Sequence, residues 1–219
     1  MDLRWRLAQD DGDQDFQVDL LPKEITEGQR YRHAARHRQW QHGRHLAKAL
    51  LREEASALGI PAFSAQGLWI RRSLAGWPQV LDAAGHPQPV KLSISHCGAW
   101  AVAAACRPEQ GRVGVDLEKV EPRSQAFIGD YFSPGEIAII QAGEPARSAT
   151  LLWTIKEAVL KSLGVGLSEA TTAVQVRELP MDRSADWQTA TVSLRDHPAP
   201  QLWWRLVEGD HILSLALLP

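Results

Sequence analysis

Two acidic side chains, Asp116 and Glu118, stand two residues apart in a segment where Val113, Val115 and Leu117 alternate with Gly114, Asp116 and Glu118. Successive side chains of a strand point to opposite faces, so the two carboxylates project side by side. Like charges at that spacing repel. A hard divalent cation relieves the repulsion, and magnesium takes a few carboxylates while leaving room for water and substrate phosphates. Simple solvation at a strand edge is the commoner fate of such a pair. Farther along, Trp153, Glu157 and Lys161 recur every four residues, which sets them on one helical face with Lys156 close by. Glu157 and Lys161 in that order also make an ordinary surface ion pair of about 0.3–0.5 kcal/mol. Neither pattern alone selects chemistry.

The surrounding elements must position these groups. Residues 90–95 and 112–118 alternate as half-buried strands, and the Ala/Val/Trp run at 99–106 suits a strand covered on both faces. Leu152, Ile155, Val159 and Leu163 form the apolar stripe of a helix over about 149–163, stopped by Gly164 and Gly166. Ser133-Pro134-Gly135-Glu136 reads as a helix start, with Ser133 as N-cap, Pro134 first in the helix and Glu136 closing a capping box. An earlier helix is expected over about 28–58, its stripe carried by Leu46, Ala47, Leu50, Leu51, Ala55 and Leu58 and its end by Gly59 and Pro61. Short strands are expected at 3–8, 16–21 and 68–70, the last followed by loop up to Pro89. Further strands are expected near 172–177, 187–194, 201–207 and 210–218. The pattern is an α+β chain of two units, 1–108 and 109–219, with no repeat visible residue by residue.

Four segments then fall into a known order. Gly114-Val115-Asp116-Leu117-Glu118, Phe132-Ser133-Pro134-Gly135-Glu136, Trp153-Thr154-Ile155-Lys156-Glu157-Ala158 with Lys161, and Gly164-Val165-Gly166-Leu167-Ser168 resemble the signatures of the Sfp-like 4'-phosphopantetheinyl transferases. Ser95-His96-Cys97 resembles that family's Ser-His-Ser/Thr motif, and Gly43-Arg44 with Ala47 its early basic helix. The resemblance implies two similar α/β subdomains in pseudo-twofold arrangement, with coenzyme A and Mg2+ at their junction. It implies an enzyme that moves the phosphopantetheine arm of coenzyme A onto a serine of an apo acyl or peptidyl carrier protein and releases 3',5'-ADP. By the same resemblance Asp116, Glu118 and Glu157 are the magnesium ligands, and Glu157 or a metal-bound water is the general base. Lys161 and Lys156 face the pyrophosphate, Ser95 and His96 the coenzyme A phosphates, Arg36 and Arg44 the 3'-phosphate, and a carrier docks beside Phe132–Ile140. His96 and Lys161 join Glu157 as catalytic residues. The chain departs from the pattern at Cys97, where the family has a hydroxyl. It departs again at Gly76-Trp77-Pro78 and Gly85-His86-Pro87, neither of which supplies the lysine of the family's Gly-Lys-Pro.

Composition bounds the partners. A formal net charge of -2 over 219 residues excludes the broad cationic surface that nucleic-acid binding needs. Residues 28–52 nevertheless hold Arg30, Arg32, Arg36, Arg38, Arg44, Lys48 and Arg52 with no Asp or Glu, which points to a local anion site; Arg30, Arg32, Arg38 and Arg52 read equally well as a solvated face. Cys97 and Cys106 make no disulfide framework, and no apolar run reaches the ~18 residues of a membrane span, so a cytoplasmic chain is expected; with the two-unit fold that the resemblance implies, it is read as a monomer. Two rival readings are a relative that binds nucleotide or carrier but has lost the chemistry, and a different magnesium phosphotransferase. Retention of all three acids and Lys161 counts against the first, and the lack of a Walker-type loop or kinase signature against the second.

Overall fold

The computed structural model describes residues 3–164, 171–179, 186–208 and 210–219. They divide into two units, Met1–Val113 and Gly114–Pro219. The first opens with β1 (Arg4–Gln9), a 3-10 turn at Phe16–Asp19, α1 (Pro22–Gly28), the long α2 (Ala34–Glu53) and a short α3 (Ala55–Leu58). A hairpin of β2 (Leu68–Arg72) and β3 (Pro78–Asp82) follows, and β4 (Lys91–Cys97) with β5 (Trp100–Cys106) closes the unit. The main sheet runs β1-β5-β4, all antiparallel. Central β5 is almost wholly buried, as its unbroken apolar run requires. Ala101, Ala103 and Ala105 pack with Leu46, Leu50 and Leu51 of α2, and the small alanines let the helix lie close.

The second unit likewise runs from a strand through helices to antiparallel strands. It has β6 (Arg112–Lys119), α4 (Gln125–Tyr131), α5 (Pro134–Ala142) and α6 (Pro145–Leu163), then β7 (Val174–Glu178), β8 (Gln188–Thr189), β9 (Thr191–Leu194), β10 (Gln201–Val207) and β11 (His211–Leu218). The main sheet runs β6-β11-β10-β8, with a separate β7-β9 pair. Every residue of β11 is buried, and α6 lies on it through a core that includes Leu152, Ile155, Val159, Ile212 and Ala216. The α+β class expected from the sequence is the class observed.

Four local expectations are corrected. Residues 16–21 form no strand: Asp15 caps the 3-10 turn by accepting from the Gln17 amide, Phe16 is buried, and Pro22 starts α1. The helix expected from residue 28 is divided, because α1 ends at Gly28 and α2 begins only at Ala34. The stretch after Ile70 is a hairpin, whose turn uses Gly76 at φ 97°. His96 lies inside β4, which continues to Cys97. Beyond Gly164, at φ 71° where the left-handed cap of α6 favours glycine, the motif residues 165–168 lie outside the described residues. No helix of the described residues is long and apolar enough to cross a membrane.

Candidate active site

A close approach of two backbones builds the site. A Cβ added to Gly114 would lie 1.9 Å from the Ala158 carbonyl oxygen and 2.6 Å from the Ser162 amide nitrogen. Only glycine lets β6 lie this near α6, and Ala158 and Ser162 keep the helix side shallow. Ala158 and Ser162 each follow directly on Glu157 and Lys161, while Asp116 and Glu118 are the next same-face positions along β6 after Gly114. Glycine at position 114 therefore sets the acids of the strand against those of the helix.

The electrostatics follow from that placement. Lys161 Nζ donates to Asp116 Oδ1 at 2.7 Å and to the Val115 carbonyl at 3.1 Å. Glu118 Oε2 accepts from Arg123 at 3.1 Å. Burial, then the neighbouring Asp116 carboxylate, raises the Glu118 pKa above the ordinary glutamate value, with Arg123 pulling the other way. Burial and then Asp116 likewise raise Glu157, opposed by Lys161 and reinforced by Glu118. Glu157 Oε1 is buried and has no hydrogen-bond partner among the described residues. Glu157 thus feels both strand acids, and the three carboxylates form one negative cluster facing two cations.

No group of three His, Cys, Asp or Glu among the described residues is drawn together tightly enough to hold a metal ion as it stands. The donor chemistry nevertheless fits magnesium. All the donors are hard carboxylate oxygens, their charge exceeds that of Lys161 and Arg123, and Glu157 Oε1 holds an unsatisfied lone pair.

Lys156 does not join this group. Its side chain is fully buried, and Nζ lies 2.9 Å from Glu136, 3.1 Å from the Thr171 carbonyl and 2.7 Å from that of Val174. The resemblance sets Lys156 against the pyrophosphate; in the structure its ammonium is held by Glu136 and two backbone carbonyls. Glu136 closes the expected capping box on Ser133 and is itself buried, which accounts for it without a metal. Phe132 and Ile140, the ends of the expected docking segment, are core residues.

In the other unit the expected coenzyme A residues stand in contrasting surroundings. Arg36 is exposed and bonds Gln39 at 3.5 Å. Arg44 is buried on the same helix, 4.9 Å from the Trp40 ring and 3.8 Å from Glu27, and burial lowers its pKa against the pull of Glu27. Ser95 is buried and His96 half-buried on β4, where strand alternation assigns them opposite faces. Sequence reasoning missed two contributors in the second unit. The first is the packing role of Gly114, whose signal was the small pair Ala158 and Ser162 four apart on α6. The second is Arg123, which no local pattern marks.

Comparison with known proteins gives this geometry a lineage. Residues 112–216 match the family model of the 4'-phosphopantetheinyl transferase superfamily. A 4'-phosphopantetheinyl transferase of Bacillus subtilis is 34% identical over 89 residues, covering 39% of this chain and 38% of its own length. The 4'-phosphopantetheinyl transferase psf-1 of Bacillus pumilus is 30% identical over 131 residues, 55% of this chain and 52% of its own. The chain thus spans between about two fifths and half of the length of these curated relatives. The Helicobacter pylori holo-[acyl-carrier-protein] synthase, solved in complex with coenzyme A, superposes with a TM-score of 0.40 at 15% identity over 49% of this chain and 99% of that one. The segment that matches the 4'-phosphopantetheinyl transferase superfamily is the one that carries Asp116, Glu118, Glu157 and Lys161, and the relatives similar to this chain include Sfp of Bacillus subtilis.

Proposed function

We propose that the chain transfers 4'-phosphopantetheine from coenzyme A to a serine of an apo acyl or peptidyl carrier protein, as a cytoplasmic monomer. One observation carries the reading: β6 and α6, in contact at Gly114, gather Asp116, Glu118, Glu157 and Lys161 into a cluster with surplus negative charge. The serine oxygen attacks the phosphorus that bears the pantetheine arm, the P–O bond to the second phosphate breaks, and 3',5'-ADP departs. Mg2+ bound at Asp116, Glu118 and Glu157 would supply charge stabilisation to the pyrophosphate oxygens. Lys161, which sits beside Asp116, would offset charge on the departing phosphate. Either Glu157 or a water beside it would accept the serine proton. Arg36, Arg44, Ser95 and His96 would hold the phosphates of coenzyme A. Cys97 and Cys106 form no disulfide, which suits a reducing compartment.

Purified chain with Mg2+ and coenzyme A should add one phosphopantetheine mass to an apo carrier protein. Asp116→Ala and Glu157→Gln should each slow this by about 100-fold or more while leaving the chain folded. Transfer at the wild-type rate by both variants would refute the site, and no transfer by the parent chain would refute the function.

A further inference from the structure

Lys156 adjoins Glu157 in sequence, yet neither it nor its partner Glu136 figures in the electrostatics of the site. Their side chains are 1% and 0% exposed. Glu136 Oε2 accepts from the Ser133 amide at 2.8 Å and lies 2.9 Å from Lys156 Nζ, and Oε1 accepts from the Val176 amide at 3.0 Å. Lys156 spends its other two protons on the carbonyls of Thr171 and Val174. One ion pair therefore ties the start of α5, the middle of α6 and the start of β7 together. The residue after Lys156 is Glu157.

The first unit contains the same device. Glu24 at the start of α1 accepts from the Leu21 amide at 2.9 Å and the Ile70 amide at 3.0 Å, and it pairs with fully buried Lys48 of α2. Lys48 also donates to the Asp19 carbonyl at 2.7 Å. One and five residues beyond this lysine stand Ala49 and Glu53, where α6 has Glu157 and Lys161. The same brace thus holds a helix that has an acid after its lysine and a helix that has none. Holding the helix is separable from the chemistry.

We propose that Lys156 and Glu136 are positioning residues for the transfer reaction: the pair fixes the turn of α6 that presents Glu157, and Lys156 touches no phosphate of coenzyme A. This rests on the transferase reading above. Four variants test it: Lys156→Met, Glu136→Gln, the two combined, and Lys161→Met. Each brace variant should lower the melting temperature by about 10 °C, and the combination should fall no further than the worse single, because the pair acts as a unit. Measured well below every melting point and with Mg2+ present, kcat should drop at least about tenfold in Lys156→Met with KM for coenzyme A within about threefold of the parent. Calorimetric Kd for coenzyme A should be equally unmoved in Lys156→Met and weakened in Lys161→Met. Additive melting losses would overturn the pairing. An unchanged kcat in Lys156→Met would overturn the positioning role, and a tenfold weaker Kd in that variant would make Lys156 a phosphate contact. Should the parent chain transfer nothing, the transferase reading falls, while the coenzyme A Kd of Lys156→Met still decides whether that lysine meets the ligand.

Discussion

Glu157 shows how a single side chain can serve a reaction at the expense of the fold. Its Oε1 is buried without a hydrogen-bond partner among the described residues, and the carboxyl feels two other acids. A carboxyl whose folded pKa is raised holds its proton longer in the folded state. Its penalty is therefore absent at low pH, grows as pH rises through the unfolded value, and is complete above the folded one. Without Mg2+ at pH 7, Glu157→Gln should accordingly stabilise the chain by about 0.5–2 kcal/mol, and the gain should vanish below the ordinary glutamate value of 4.5. Melting curves of parent and variant in chelator across that range read the sign directly; a destabilised variant at pH 7 would contradict the charge argument. Lys161 carries the complementary expectation. Its ammonium sits on Asp116, so Lys161→Met should tighten Mg2+ binding on the order of tenfold in the absence of coenzyme A, as titration calorimetry would show. The residue types were legible in the sequence, since Asp116, Glu118, Glu157 and Lys161 stood out by spacing. The inward turn of Lys156 was not legible, because neighbouring helical positions diverge by about 100° and only packing decides which faces the core.

At the scale of elements, period and punctuation gave most of the answer. The alternation of β4 and β6 and the apolar run of β5 appear nearly where they were expected, and the Ser133 capping box starts α5. What failed was the reading of Gly- and Pro-rich stretches. Gly76 makes the turn of the β2–β3 hairpin instead of a loop, and Pro22 opens a helix where a strand was expected to end. Strand-to-helix contact was also hidden, although it is what assembles the site. A methyl group at Gly114 meets helix backbone, which cannot rotate away, so Gly114→Ala should cost about 3 kcal/mol or more. The same variant should weaken Mg2+ binding by separating Asp116 and Glu118 from Glu157. A variant with unchanged melting and unchanged metal affinity would show that β6 need not lie on α6. Ser133→Ala, which removes a cap and moves no site residue, should cost only about 1 kcal/mol and serves as the scale for that comparison.

In each unit a strand is followed by short helical segments, a long helix, an antiparallel strand pair and a closing hairpin, with β5 and β11 as inner strands of sheets ordered β1-β5-β4 and β6-β11-β10-β8. No repeat was visible in the sequence because the shared features are few and unevenly spaced: a proline and a glutamate opening a short helix, a lysine well inside the long helix, and an amide on the next strand. Such positions are fixed by hydrogen bonding in a buried place, whereas the residues between them answer only to volume and polarity. If the two braces are the same structural device, Lys48→Met should resemble Lys156→Met in stability and differ from it in catalysis. Removing one partner from a buried pair costs about 3–5 kcal/mol, so both variants should melt at least several degrees below the parent. At a temperature where both are folded, Lys48→Met should keep kcat within about threefold of the parent, since Ala49 and Glu53 stand where the other helix carries Glu157 and Lys161. Equal loss of kcat in the two would mean that the brace acts on the reaction through general loosening, because only a local effect on α6 can separate them.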